Sequence, residues 1–216
     1  MKNLAKCFAL VFVSLICLQV SAQSSFRIKA GINLANVLEK DDDGTYSDEY
    51  KMNLGFHAGF GVDISLSDII SLEPGLLLET KGFKIKDSYA GIDYVAKLNL
   101  FYLDVPIMLK GAYDFGNGFK IYGAAGPYIG VGLFGNMVAK VDDDKETETV
   151  EWGSDWEDGD MLKRLDYGLG FGAGVEINKL LLGISYDLGL ANVSAYTENG
   201  TKGKHRVLKF TVGIAF

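Results

Sequence analysis

A hydrolytic centre needs a base beside a nucleophile, and the chain offers two histidines for that work, His57 and His205. An imidazole takes the proton of a serine hydroxyl near neutral pH when a carboxylate orients its ring. Neither histidine stands in a local string that supplies those partners. Carboxylates are more abundant, with 28 Asp and Glu against 21 Lys and Arg. They gather in Asp41-Asp42-Asp43-Gly44, in Asp142-Asp143-Asp144 and between Asp155 and Asp160. Such clusters can hold calcium, and divalent ions also bridge to anionic lipopolysaccharide. The first cluster fails the helix–loop–helix calcium pattern, because Gly44 at the sixth position puts Tyr50 where a bidentate glutamate is needed. Runs of like charge are ordinarily solvated and self-repelling, and solvated charge is the expectation for all three. Trp152 and Trp156 lie among the acids of the last stretch, placed either to anchor a partner or to sit at lipid headgroup level. No residue is assigned a catalytic, cofactor-binding or metal-ligating role.

The chain that must position these residues divides in two. Lys2 and Lys6, the apolar run from Cys7 to Leu18 and the small residues of Val20-Ser21-Ala22 form a secretory signal, with cleavage expected after Ala22. Ile16 before Cys17 does not fit a lipoprotein site, which wants a small residue there. Residues 1–22 are thus the signal peptide and 23–216 a single domain. Cleavage removes both cysteines, which excludes disulfides, cysteine nucleophiles and thiolate metal sites. It also takes the net charge from −7 to −9, a poor balance for binding nucleic acid. Past the signal, no apolar run is long enough for a transmembrane helix.

Beyond the signal, apolar and polar residues alternate with period two. Phe26, Ile28, Ala30, Ile32 and Leu34 oppose Arg27, Lys29, Gly31 and Asn33; Phe56, Ala58, Phe60, Val62 and Ile64 oppose His57, Gly59, Gly61 and Asp63. A third run sets Ile70, Leu72, Leu76 and Leu78 against Glu73, Glu79 and Lys81, and a fourth sets Phe101, Leu103, Val105, Ile107 and Leu109 against Asp104 and Lys110. The fifth, near residues 119–134, is so rich in glycine that its faces cannot be assigned. The sixth (Tyr167 to Ile177), seventh (Leu182 to Leu190) and eighth (Leu208 to Phe216) repeat the pattern, with Asp166, Glu176, Asp187 and Lys209 opposite the apolar rows. This is the signature of eight strands.

The polar faces then choose the architecture. They hold glycine and sparse charges of both signs, a composition suited to a narrow interior and unsuited to a solvated surface. The apolar faces would form a band against lipid. Connections alternate: residues 65–68, 111–118 and 178–179 are short, whereas 36–53, 86–96, 135–164 and 192–204 are long. The expected fold is all-β, an eight-stranded antiparallel up-and-down transmembrane barrel with short periplasmic turns and long surface loops. Closure would satisfy every strand edge inside lipid. The interior charges would pair across a lumen too narrow for a water-filled channel, and both histidines would fall near the outer rim. The final aromatic, Phe216, is similar to the signal read by the barrel-assembly machinery, which becomes a partner during biogenesis.

Several strings resemble the PorT-like outer-membrane β-barrel family: Lys29-Ala30-Gly31-Ile32-Asn33-Leu34, Tyr102-Leu103-Asp104-Val105-Pro106-Ile107 with Lys110, Asp166-Tyr167-Gly168 through Glu176, and Tyr186-Asp187-Leu188-Gly189-Leu190-Ala191-Asn192. Ser185 departs from that pattern, where an arginine often precedes the tyrosine, which puts one interior charge pair in question. The resemblance implies a non-enzymatic barrel with no catalytic residues or cofactor to carry over, and in one branch a role in a secretion system. The expected partners are outer-membrane lipid and lipopolysaccharide, with a surface or secretion-system protein engaged through the acidic loops by a monomeric barrel. A barrel that supports envelope integrity without a specific partner, a rim hydrolase and a secreted soluble barrel are the alternatives.

Overall fold

The computed structural model of the chain describes residues 24–46, 50–89, 92–141 and 144–216; the expected signal peptide lies outside them. The strands are β1 (Ser24–Lys40), β2 (Asn53–Ser65), β3 (Ile70–Tyr89), β4 (Ile92–Asp114), β5 (Phe119–Val141), β6 (Asp144–Thr149), β7 (Leu165–Ile177), β8 (Leu180–Gly189) and β9 (Lys202–Ala215). Each runs antiparallel to its sequence neighbour, except that β7 skips β6 and pairs with β5. β1 pairs with both β2 and β9, and β4 pairs with both β3 and β5, so eight strands close into a ring and β6 stands outside it.

Burial is inverted relative to a water-soluble domain. Along β1 the outward residues Phe26, Ile28 and Ile32 are exposed while Arg27 and Asn33 are buried. The same alternation holds on β7, where Tyr167, Leu169 and Phe171 point out and Asp166 points in. A continuous apolar belt therefore faces away from the lumen. On β4 the belt runs from Tyr113, beside Phe115 at 4.8 Å, up to Phe101, which stacks on Phe134 at 4.4 Å. At about 3.4 Å per residue and a tilt near 40°, that interval spans roughly 30 Å of height, the thickness of a hydrocarbon core.

β5, whose faces the glycines hid, turns Phe119, Ile121, Ile129 and Val131 outward and Tyr122 and Tyr128 inward. Phe101 pairs with Phe134 but Tyr102 pairs with Gly132, so Leu133 is an extra residue. This bulge puts both Leu133 and Phe134 outward, which breaks the period-two reading at that point.

The expected loops 86–96 and 135–164 are corrected. β3 and β4 continue to Tyr89 and from Ile92, and β5 runs on to Val141 before β6 returns beside it. β6 reads Asp-Lys-Glu-Thr-Glu-Thr and is exposed throughout, so it has no apolar face to announce a strand. These ladders project past the belt at the end with long connections, the end expected to face outward and called the outer end from here on. The short turns lie at the opposite, inner end, where Asn178 adopts the left-handed conformation (φ 54°) of a tight hairpin.

Candidate functional site

All of the charges expected inside are inside, and they sort into two layers. The inner-end layer is built on Arg27. Its guanidinium reaches Asp63 (3.0 Å), Glu73 (3.1 Å) and Glu176 (3.1 Å), from β2, β3 and β7. Lys29 also holds Glu73, and Lys110 holds Asp63 at 3.2 Å and lies 3.8 Å from Glu176. Three cations meet three carboxylates, and Arg27 with its planar fork is the group that can serve several at once.

The second layer is built on two lysines. Lys81 is fully buried and lies 2.7 Å from Asp104, 2.8 Å from Asp166 and 3.3 Å from Glu79. Lys209 lies 2.5 Å from Asp187 and 3.1 Å from Glu79. The Lys81 ammonium also sits over the rings of Tyr102 (4.7 Å) and Tyr128 (4.6 Å). The aspartates of three family-like strings, Asp104, Asp166 and Asp187, thus converge here. Ser185, the departure in those strings, is paired across the strands with Lys209, and it is Lys209 that supplies the cation beside Asp187. The convergence was not legible in the sequence, because which strands meet across a lumen depends on ring closure and register.

One oxygen from each of Glu79, Asp104 and Asp187 lies within 4.8 Å of the others, the one such grouping among the described residues. Lys81 and Lys209 reach into the same group, so ammonium charges take the place a metal cation would occupy. Between the layers lies a chamber of about 110 Å³. Glycines make room for what fills the lumen: a Cβ at Gly174 or Gly183 would come within 2.5 or 2.6 Å of the Tyr122 hydroxyl.

The histidines are not at an accessible rim, which corrects that expectation. His57 is 2% exposed, with Nδ1 2.6 Å from Asn33 Oδ1 and Nε2 3.0 Å from Thr211 Oγ1. The order Asn–His–Thr resembles a nucleophile relay, but it ties β1, β2 and β9 together beneath the second layer. His205, also 2% exposed, pairs with Asp166 at 3.2 Å and lies edge-on to Tyr102. Strand alternation put both side chains inward, and the ladders projecting beyond the belt bury what would otherwise be the rim.

Above the second layer an apolar cluster of Leu98, Leu100, Tyr102 and Val150 closes the outer end, with Trp152, Met161 and Leu162 packed on it. Trp152 is edge-on to Tyr102 at 5.8 Å and stacked by Arg164 at 5.4 Å, so it serves as a cap and not as an exposed anchor. Trp156 is the exposed one, at 53%, edge-on to Tyr196. Asp142 and Asp143 lie outside the described residues. Some of the other loop acids fold their own turns: Asp41 Oδ1 accepts the Asp43 and Gly44 N–H groups, and Asp160 Oδ2 accepts that of Asp155. With two ionic layers and an apolar cap across the lumen, the chain in planar bilayers is expected to give no current steps above the bare-membrane baseline. Stable steps from the unmutated protein would contradict this packing.

Among curated proteins no sequence matches the chain. Solved structures that resemble it include the attachment invasion locus protein of Yersinia pestis, at 14% identity over 90% of this chain and 99% of that one with a TM-score of 0.39. Neisserial surface protein A follows at 13% identity, 89% and 97% coverage and a TM-score of 0.42. The outer membrane protein OprG of Pseudomonas aeruginosa gives 15% identity, 89% and 96% coverage and a TM-score of 0.47. Residues 19–195, most of the chain, match the family described as outer membrane protein beta-barrel domain. The alternating strands, the closed ring and this match agree, and the chain belongs to the outer membrane protein beta-barrel domain family.

Proposed function

We propose that this barrel is a non-enzymatic interaction or assembly component that works at its outer end, through the excursion between β5 and β7. One observation carries the reading. The lumen is lined by paired charges, whereas the excursion packs Val150, Trp152, Met161 and Leu162 onto Leu98, Leu100 and Tyr102 of β4 and presents Trp156 among Asp155, Glu157 and Asp158. A preorganised aromatic ringed by acids is an economical anchor for a protein with a basic rim around an apolar pocket. The resemblance to the PorT-like family, one branch of which assists a secretion system, makes a secretion-system component the first partner to seek.

The test is affinity purification from detergent-solubilised outer membrane, comparing the intact chain with one whose residues 153–160 are replaced by a short Gly-Ser linker, and with Trp156→Ala. A near-stoichiometric protein recovered with the intact chain and lost with both variants is the expected result. The variants must keep the gel-mobility shift on heating that marks a folded barrel. Recovery of the same protein by all three chains would sink the reading. Recovery of the bare barrel from all three would favour an envelope-supporting role instead.

A further inference from the structure

Three rows on the outward face of the projecting ladders carry charge of one sign. Above the girdle of Phe56, Phe101 and Phe134, the register stacks three cross-strand rows. The first is Gly82, Asn99, Asn136 and Thr149; the second is Lys84, Lys97, Val138 and Thr147; the third is Lys86, Val95, Lys140 and Lys145. Five lysines and no acid occupy these rows on a chain whose net charge is −7. The acids of β6, Asp144, Glu146 and Glu148, alternate to the opposite face. Lys84 faces Lys97 directly, and Lys140 faces Lys145. Like charges placed opposite one another destabilise a ladder unless an anion lies between them. Among the described residues none of the five lysine side chains has an ion-pair partner, and all but Lys84 are exposed.

Height decides which anion. Successive rows are two residues apart, about 7 Å along a strand and about 5 Å in height at barrel tilt. The second row therefore sits about 10 Å above the aromatic girdle, and lysine stems reach back down toward it. That is the level of lipid headgroups, reached from the lipid side of the wall. We propose that Lys84, Lys86, Lys97, Lys140 and Lys145 form a site for the phosphate groups of anionic outer-leaflet lipid, seated between the facing lysine pairs. A second outward set, Lys40 opposite Lys202 on β1 and β9, repeats the arrangement across the ring.

The experiment reconstitutes the full folded chain in phosphatidylcholine vesicles, with or without a small fraction of a bisphosphorylated lipid A-type glycolipid, and exchanges it into neutral detergent for native mass spectrometry. The unmutated chain is expected to retain the glycolipid, and to retain its dephosphorylated form about tenfold less or lower. K84Q/K97Q and K140Q/K145Q each lose retention about tenfold, and K84R/K97R keeps it. The variants also reverse sign with the lipid: K84Q/K97Q unfolds no earlier than the unmutated chain in phosphatidylcholine alone, and earlier once the glycolipid is present. A purely structural lysine pair would not show that reversal. Equal retention by the glutamine variants, or retention indifferent to the lipid's phosphates, would overturn the proposal. So would displacement of the glycolipid by millimolar inorganic phosphate, which would indicate a site for free anions.

Discussion

Lys81→Met is expected to leave little folded barrel, at a loss on the order of 3–5 kcal/mol, the usual cost of removing one partner from a buried ionic cluster. The reason lies in the second layer's charge. Glu79, Asp104, Asp166 and Asp187 face Lys81 and Lys209, with His205 beside Asp166. Removing Lys81 strips the nearest cation from Asp104, whose Oδ1 has no hydrogen-bond partner even with the lysine present. Lys120→Met is the contrasting change. Its pair with Asp114 at 3.4 Å is open to solvent, where screening leaves such a pair little to contribute. The measurement is the temperature at which the fast-migrating folded band disappears on a gel. Lys81→Met together with Asp104→Asn and Asp166→Asn should recover much of the loss, because the stranded charges leave with the lysine. Equal transition temperatures for the Lys81 and Lys120 variants would show that the layer does not hold the barrel together.

That layer also marks the boundary of what the sequence discloses. Alternation is a local property, so a run such as Tyr167 to Ile177 reveals its own inward and outward faces, and every interior charge was readable that way. Partnership is a long-range property. Nothing near Lys81 in sequence points to Asp166 on β7, because their meeting depends on how far the ring staggers as it closes. β5 hid its faces because glycine and alanine occupy both sides and a bulge shifts the phase at Leu133. β6 was hidden because a strand solvated on both faces has no hydrophobic period at all. Alternation puts His57 on its correct inward face, but it cannot tell how far either histidine lies from the rim, since the length of the ladders beyond the belt is set by pairing that lipid does not dictate.

Trp152 shows the same limit from the other side, and its replacement has a local consequence large enough to measure. Among so many acids it reads as exposed, yet its indole covers Gly132, where a Cβ would overlap the ring, and stands edge-on to Tyr102. Trp152→Ala should cost the excursion about 3 kcal/mol of local stability, in line with truncating a packed aromatic. At tenfold for each 1.4 kcal/mol, cleavage by trypsin at Lys163 and Arg164 should then accelerate on the order of a hundredfold. The barrel below keeps its heat-induced gel shift, because the ionic layers do not involve the indole. Trp152→Phe should stay near the unmutated rate, since a ring remains and the lost N–H has no hydrogen-bond partner to forfeit. Gly132→Leu, which fills the space the indole occupies, should behave like Trp152→Ala. If Gly132→Leu instead left cleavage unchanged while Trp152→Ala accelerated it, the tryptophan would be stabilising the excursion through Arg164 alone, and the outer cap would not be seated on the barrel wall.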